Sequence, residues 1–434
     1  MVEKPSWLAT FISIISNSQK ILNGARSVPH LFMQKTISSL FLFLSIIGCQ
    51  SSPTKKNILP SEVSSEPALK TTQTTIPVRP KGPSQPTFPI EEQIKNIRFA
   101  TGIPGLSVLA VDQGPRQIFI HDGFRKWGSS DFIQENDRWH LATNTQAMTS
   151  YILAQLHQQK ILDLEKPLNT YLSFQIQKEH RSLKLIDLLR HQTKLQDALS
   201  FSGGTLWKNL WSTSKTAPQL RVLLSETLLK AQGRKSETGF NFNHANYVIA
   251  ASIAEAVTGK PWESLVHQYI FVPQKMKTCA FGAAGDARLK NADQPWPHFE
   301  KDKKIQFVPP GPEADNPPAL RPAVGVHCSL QDWSQFISIL EKEYRQKGIL
   351  DPVTLKLLFE ESQGSRFVAA GWSRSENDWS SGPVFSHDGT NGLNFSSAVW
   401  APETGKRILF ATNIGGPRGS IAAIEALRIL MNSK

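Results

Sequence analysis

Thr143 and Gln146 open the chemical reading of this chain, because a hydroxyl stands three positions ahead of an amide at the start of a helical pattern. Met148, Tyr151, Ile152 and Leu156 follow at i, i+3, i+4 and i+8, the spacing of one apolar helix face. A hydroxyl is a weak nucleophile near neutral pH and needs an adjacent base. Gln146 has no titratable group, so any base must come from elsewhere in the fold. Histidines with no nearby carboxylate or thiol to complete a set give no metal site, and none is expected. The three cysteines are Cys49, Cys279 and Cys328. They form no C-x-x-C pair, which excludes a zinc ribbon or a thioredoxin-type centre. Cys279 and Cys328 are either bridged in an oxidising compartment or buried as small apolar residues.

The elements that must position these side chains occupy most of the 434 residues, enough for one large domain or two ordinary ones. Hydrophobic residues make up 40% and charged ones 19%, a globular balance. The net charge of +12 reads as a solvated basic face, or as attraction to an anionic envelope or wall polymer. Nucleic-acid binding is excluded for want of a finger, a homeodomain or an aromatic-basic RNA motif.

The N-terminus reads as an address. Lys35 precedes an apolar run from Ile37 to Ile47, too short to span a bilayer, and the run closes at Ile46-Ile47-Gly48-Cys49. These residues resemble a bacterial lipobox, which implies lipidation of Cys49 and a true translation start at Met33. Residues 1–49 are accordingly expected to be leader and lipoprotein signal. Residues 50–88 carry prolines at 53, 60, 67, 77, 80, 83 and 86 among Ser, Thr and Lys. Such a segment buries too little surface to offset its ordering entropy, so a disordered tether is expected. Gln50 after the cysteine, in place of aspartate, favours the outer membrane. The expected location is the periplasmic face of the cell envelope, on a lipid anchor.

A globular domain is expected over 89–434. Leu106–Asp112 and Gln117–His121 read as one hairpin, and Phe395–Trp400 and Arg407–Thr412 as another. Helical patterns fill the middle: Leu183–Leu189, Pro218–Gln232, Asn246–Val257 and Pro261–Ile270. Apolar residues at 421, 424, 427 and 431 suit a last helix packed on a sheet. Strands at both ends imply an α+β fold, one antiparallel sheet from both chain ends with flanking helices and an inserted helical lobe at roughly 130–280. A pocket is expected at the seam.

The run Trp139–Thr149 resembles the active-site helix start of serine β-lactamase-related hydrolases and penicillin-binding proteins, where the family places S-x-x-K. Further landmarks come in the family's order: Lys160–Leu164, Leu188-Leu189-Arg190-His191, Thr258–Glu263, Ala314–Pro318, Ser329–Trp333 and His387-Asp388-Gly389-Thr390-Asn391. The resemblance covers about residues 95–432 and implies a β-lactamase/transpeptidase-like fold. It places Thr143 at the nucleophile, Gln146 at the lysine, Phe242 at the tyrosine of Y-x-N, and His244 at its asparagine. Only the Lys/His-x-Gly strand survives, which makes His387, Asp388, Gly389 and Thr390 the binding wall.

These departures remove the proton-handling groups, and general-base help is worth about 10²–10⁴ in rate. Threonine also adds a γ-methyl that restricts χ1. The expectation is a lipid-anchored, hydrolytically impaired pseudoenzyme, needing no cofactor, that binds a peptidoglycan-like, β-lactam or ester ligand or a protein partner. The alternative is an active β-lactamase, carboxypeptidase or esterase with Thr143 as nucleophile and His244 as base. Its pH–rate limb would lie near the ordinary histidine value. His191 is expected to be a structural hydrogen-bonder, and Trp262, Trp333 and Trp372 packing residues.

Overall fold

The computed structural model describes residues 89–432, apart from 113–116, 198–204, 212–213, 235–238, 362–363 and 378. Cys49, the segment 50–88 and Met33 therefore lie outside the described residues. The chain begins with α1 (Ile90–Thr101), β1 (Gly105–Val111), β2 (Gln117–Gly123) and β3 (Trp139–His140). A 3-10 turn, Ala142–Asn144, leads into α2 (Thr145–Gln158). Helices α3 (Leu185–Leu189), α4 (Thr205–Asn209), α5 (Ala217–Lys230), α6 (His244–Thr258) and α7 (Trp262–Val266) follow. Next come β4 (Ala280–Phe281), β5 (His298–Lys301), β6 (Lys304–Phe307), α8 (Arg321–Val324), β7 (Val326–Cys328), α9 (Leu330–Tyr344) and α10 (Pro352–Phe359). The chain closes with β8 (Phe367–Val368), β9 (Trp372–Glu376), β10 (Pro383–Thr390), β11 (Phe395–Ala401), β12 (Lys406–Thr412) and α11 (Gly416–Met431).

Alternating apolar residues at both chain ends build one antiparallel sheet of order β2-β1-β12-β11-β10-β9-β8. The two chain ends meet in the pairing of β1 with β12, in which Leu109 faces Leu409. One face carries Val108, Ile408 and Phe410 against Ile94 of α1 and Ala422, Ala426 and Leu430 of α11. The other carries Leu109, Ala398 and Leu409 into the larger core, with Met148, Trp262, Trp333 and Trp372. The expected α+β architecture is present, with α9 and α10 extending the helical layer beyond the inserted lobe.

Two helices differ from their sequence patterns. In α11 the buried face is Ala422, Ala423, Ala426, Leu427 and Leu430, and Ile421 is 42% exposed. Alanines bring that helix close to the sheet, a face that a search for large apolar residues does not find. Helix α2 is buried on every side from Thr145 to Leu156, so its single apolar stripe understated it. Its polar side chains are satisfied inside: Thr149 donates to Pro322 O (2.7 Å) and accepts from Trp262 Nε1 (3.0 Å). A buried hydroxyl without such partners would cost about 1–3 kcal/mol.

The helices that carry site residues have clear ends. Asn243 caps α6, its Oδ1 accepting from Ala245 N (2.8 Å), and Gly259 closes it in the left-handed conformation. Fully buried Arg221 of α5 ties the lobe together, bonding Glu255 (2.6 Å) and Glu263 (2.8 Å). A short sheet, β3-β7-β4, backs the 3-10 turn, and Cys279 and Cys328 are joined across it by a disulfide.

Candidate active site

The turn Leu141–Asn144 is held from two sides. On one, Leu141 N donates to Val326 O (2.9 Å) and Val326 N donates to Thr145 Oγ1 (3.1 Å). On the other, Ser396 Oγ donates to Leu141 O (2.8 Å) and accepts from Asn144 Nδ2 (3.0 Å). Ala142 takes φ of +48°, a left-handed conformation that costs an alanine about 1–3 kcal/mol. His140 offsets that cost: its Nδ1 accepts the Ala142 N–H (3.1 Å), leaving Nε2–H to donate to Asp315 Oδ1 (2.9 Å). The result is a rigid turn that presents Thr143, only 4% exposed, to strand β10.

Strand β10 approaches that turn because of Gly389. A Cβ added there would lie 2.6 Å from Leu141 O, 2.8 Å from Asn144 Nδ2 and 3.1 Å from Thr143 N. Strand β9 pairs only with Pro383–Ser386, so the stretch from His387 onward lies against the Thr143 turn. His387 and Gly389 share a face of the strand by its two-residue alternation. His387 Nε2 stands 3.0 Å from Thr143 Oγ1. Its Nδ1 is 2.7 Å from Gly371 O, an acceptor only, so Nδ1 carries the proton and Nε2 is free to accept one. Gly371 has φ of +87°, and a Cβ on it would meet Ala147 N and Cα at 2.8 Å. Only glycine turns its carbonyl to the imidazole there. Burial pushes His387 down to about 4, with the Gly371 carbonyl opposing and His244 adding to the shift. The imidazole is neutral at pH 7.

Thr143 Oγ1, His387 Nε2 and Gly371 O therefore lie in one hydrogen-bonded series, the disposition that a nucleophile, a base and a group orienting the base would need. The expected pairing of Thr143 with His244 is replaced by this one. His244 begins α6, and its Nδ1 lies 3.6 Å from Asp197 Oδ1. Gln146 is fully buried: its Oε1 is 3.1 Å from His191 Nε2. His191 Nδ1 accepts from Asn243 N (3.1 Å), so Nε2–H is the donor to Gln146. Burial first, then the charges of His244 and His387, hold His191 well below the ordinary histidine range. Phe242 lies over His191 with ring centroids 4.4 Å apart.

Two other expected binding residues face away from the turn. Asp388 accepts from Ser397 Oγ on the adjoining strand, while its carbonyl lies 3.3 Å from Thr143 Oγ1. Thr390 Oγ1 donates to Asn394 O (2.8 Å) and accepts from Gly392 N (3.0 Å), which fixes the turn into β11. Sequence reasoning missed His140, Asp315 and Gly371; a signal for Gly371 was the glycine directly before buried Trp372. Among the described residues no group of three His, Cys, Asp or Glu is disposed to hold a metal ion.

Comparison with known proteins bears on the family and the fold. The family described as Beta-lactamase matches residues 90–430. No curated protein matches the chain. Among solved structures, an octameric penicillin-binding protein homologue from Pyrococcus abyssi is 17% identical, with 80% of this chain and 77% of that chain covered and a TM-score of 0.63. A D-amino acid amidase from Ochrobactrum anthropi SV3, complexed with D-phenylalanine, is 18% identical over 80% and 99%, with a TM-score of 0.62. A D-stereospecific amidohydrolase from Streptomyces sp. is 19% identical over 78% and 98%, with a TM-score of 0.62. The fold is that of β-lactamases and transpeptidases, and with its family pattern running through nearly the whole described domain the chain belongs to the beta-lactamase family.

Proposed function

We propose that this protein hydrolyses an amide or ester through an acyl-enzyme on Thr143, with His387 as the base. The 3.0 Å contact between Thr143 Oγ1 and His387 Nε2 carries the reading. In the first step Nε2 takes the threonine proton as Oγ1 bonds to the substrate carbonyl carbon. The oxyanion so formed lies toward the Thr143 N–H of the 3-10 turn that leads into α2, a backbone donor aimed at the developing charge. Collapse breaks the bond to the leaving amine or alcohol, which takes the proton from Nε2. Water then attacks the acyl-threonine, gives its proton to His387, and releases the acid and the threonine hydroxyl. Structural neighbours named as amidases and as a penicillin-binding protein homologue support an amide or peptidoglycan-like substrate. A low-basicity histidine makes a modest catalyst, within the roughly 10²–10⁴ that general bases contribute.

A second reading, ligand binding without turnover, draws support from Gln146 and Phe242, which carry no transferable proton. In either case we propose that Cys49 holds the domain by a lipid anchor to the periplasmic face of the envelope, the outer membrane above the inner. Intact mass after exposure to a p-nitrophenyl ester or a chromogenic β-lactam tests the first reading. An acyl adduct on Thr143 that Thr143→Ala abolishes is expected. No adduct and no turnover with any of these probes would leave the binding reading in its place.

A further inference from the structure

Phe242 is 38% exposed, yet the backbone on either side of it is hydrogen-bonded. Asn241 N donates to His191 O (2.7 Å), and Asn243 N donates to His191 Nδ1 (3.1 Å). Asn243 Nδ2 donates to both Leu195 O (3.1 Å) and Gln196 O (3.0 Å). An apolar ring left open on a floppy surface loop would call for no explanation. A ring left open on a segment bonded on both sides is a preformed surface.

That surface faces the chemistry. The Phe242 ring is 6.4 Å from the His387 ring and edge-on to it, and Nε2 of that imidazole is 3.0 Å from Thr143 Oγ1. Phe367 stands edge-on at 6.1 Å from Phe242, and Phe240 lies 5.8 Å from Phe367. Around this wall, burial keeps His191 and His387 neutral, and Gln146 is uncharged. An ionic group set against the three phenylalanine rings would lose water and gain no partner from them; the ionisable neighbour is His244, edge-on to Phe242 at 5.7 Å and already 3.6 Å from Asp197 Oδ1. An aromatic or branched apolar group would gain ring faces and edges at distances that favour stacked and T-shaped contacts.

We infer that Phe242, backed by Phe240 and Phe367, is the specificity wall for the acyl side chain, and that the substrate is an amide or ester whose carbonyl bears an aromatic or bulky apolar substituent. The inference rests on Thr143 as the nucleophile, since that fixes where the carbonyl carbon sits. It gives Phe242 a binding role where the family resemblance implied a lost proton donor.

The test compares p-nitrophenyl phenylacetate with p-nitrophenyl acetate on the wild-type protein, Phe242→Ala and Phe242→Leu. The wild-type preference in kcat/KM for the phenylacetyl ester is expected to fall about tenfold or more in Phe242→Ala and less in Phe242→Leu. A proportional fall on both esters, with the preference kept, would overturn the wall. Failure of the nucleophile reading is separately visible: neither ester acylates Thr143 by intact mass. Calorimetry with phenylacetamide and acetamide then decides the pocket alone. Tighter binding of phenylacetamide, about tenfold and lost in Phe242→Ala, sustains it; equal affinities overturn it.

Discussion

If His387 is the base, protonating it switches Thr143 off, and burial sets the pH at which that happens. Desolvation pushes His387 from the ordinary 6.5 down to about 4, and the hydrogen bond to Gly371 O recovers only part of the loss. At pH 5.5 about 97% of such a group is neutral, against about 9% of a histidine at its ordinary value. Hydrolysis of an activated ester should therefore hold its kcat/KM plateau at pH 5.5 and halve near pH 4. An ordinary histidine would cost roughly tenfold at pH 5.5. The same burial acts on stability. Above about pH 6.5 His387 is neutral in both folded and unfolded chains, and its burial carries no pH-dependent penalty. As pH falls from 6.5 toward 4 the unfolded chain binds a proton that the fold refuses, so stability drops by on the order of 3 kcal/mol per site, then levels off. Burial likewise pushes His298 and His327 down to about 4, so acid unfolding approaches the same window. Near-UV circular dichroism on the same samples separates the two, since the plateau at pH 5.5 must coincide with intact signal. An acid limb centred between pH 6 and 7 on folded protein would refute His387 as the base.

Gly389→Ala places a Cβ 2.6 Å from Leu141 O, so β10 must move off the Thr143 turn. A stability loss of about 1–3 kcal/mol is expected from thermal melts, with kcat/KM falling by more than tenfold; unchanged kcat/KM would refute the close approach. Cys279 and Cys328 are separated by 49 residues, so reducing their bond should cost about 4 kcal/mol on the loop-entropy argument. Denaturant melts with and without dithiothreitol measure it, and coincident midpoints would show that the bridge adds nothing.

The fold was legible because its evidence is local: two hairpins with turn clusters, a helix run between them, and motifs in a set order. The contact of Thr143 with His387 was not legible, because the two residues are 244 positions apart and meet only in the folded chain. Motif alignment points to His244, two residues after Phe242, but the Asn243 cap starts α6 there and His244 stands by Asp197. One sequence signal did bear on the answer. In His387-Asp388-Gly389 the histidine and the glycine share a face, so a glycine demanded by close approach also marks where the histidine looks. Asp388 and Thr390 are one step out of phase with that face, so their side chains bond Ser397 and the turn into β11 instead.

Gln146 is the position where loss and replacement are hardest to tell apart. Taken alone it is a missing base, and returning the family's side chains at Thr143, Gln146 and Phe242 should then return hydrolysis. The hydrogen bonds argue otherwise. Gln146 Oε1 accepts from His191 Nε2–H, and His191 Nδ1 in turn accepts from Asn243 beside Phe242. A lysine at 146 would aim a cation at that N–H in a site where burial already expels charge from His191. Thr143→Ser, by contrast, removes only a γ-methyl and keeps the hydroxyl in reach of His387. The single variant Thr143→Ser should therefore hydrolyse activated esters faster than the triple variant Thr143→Ser, Gln146→Lys, Phe242→Tyr. The triple should also melt lower. If the triple is the faster enzyme and equally stable, the cleft has merely lost its old chemistry, and the network through His191 is not what Gln146 is for.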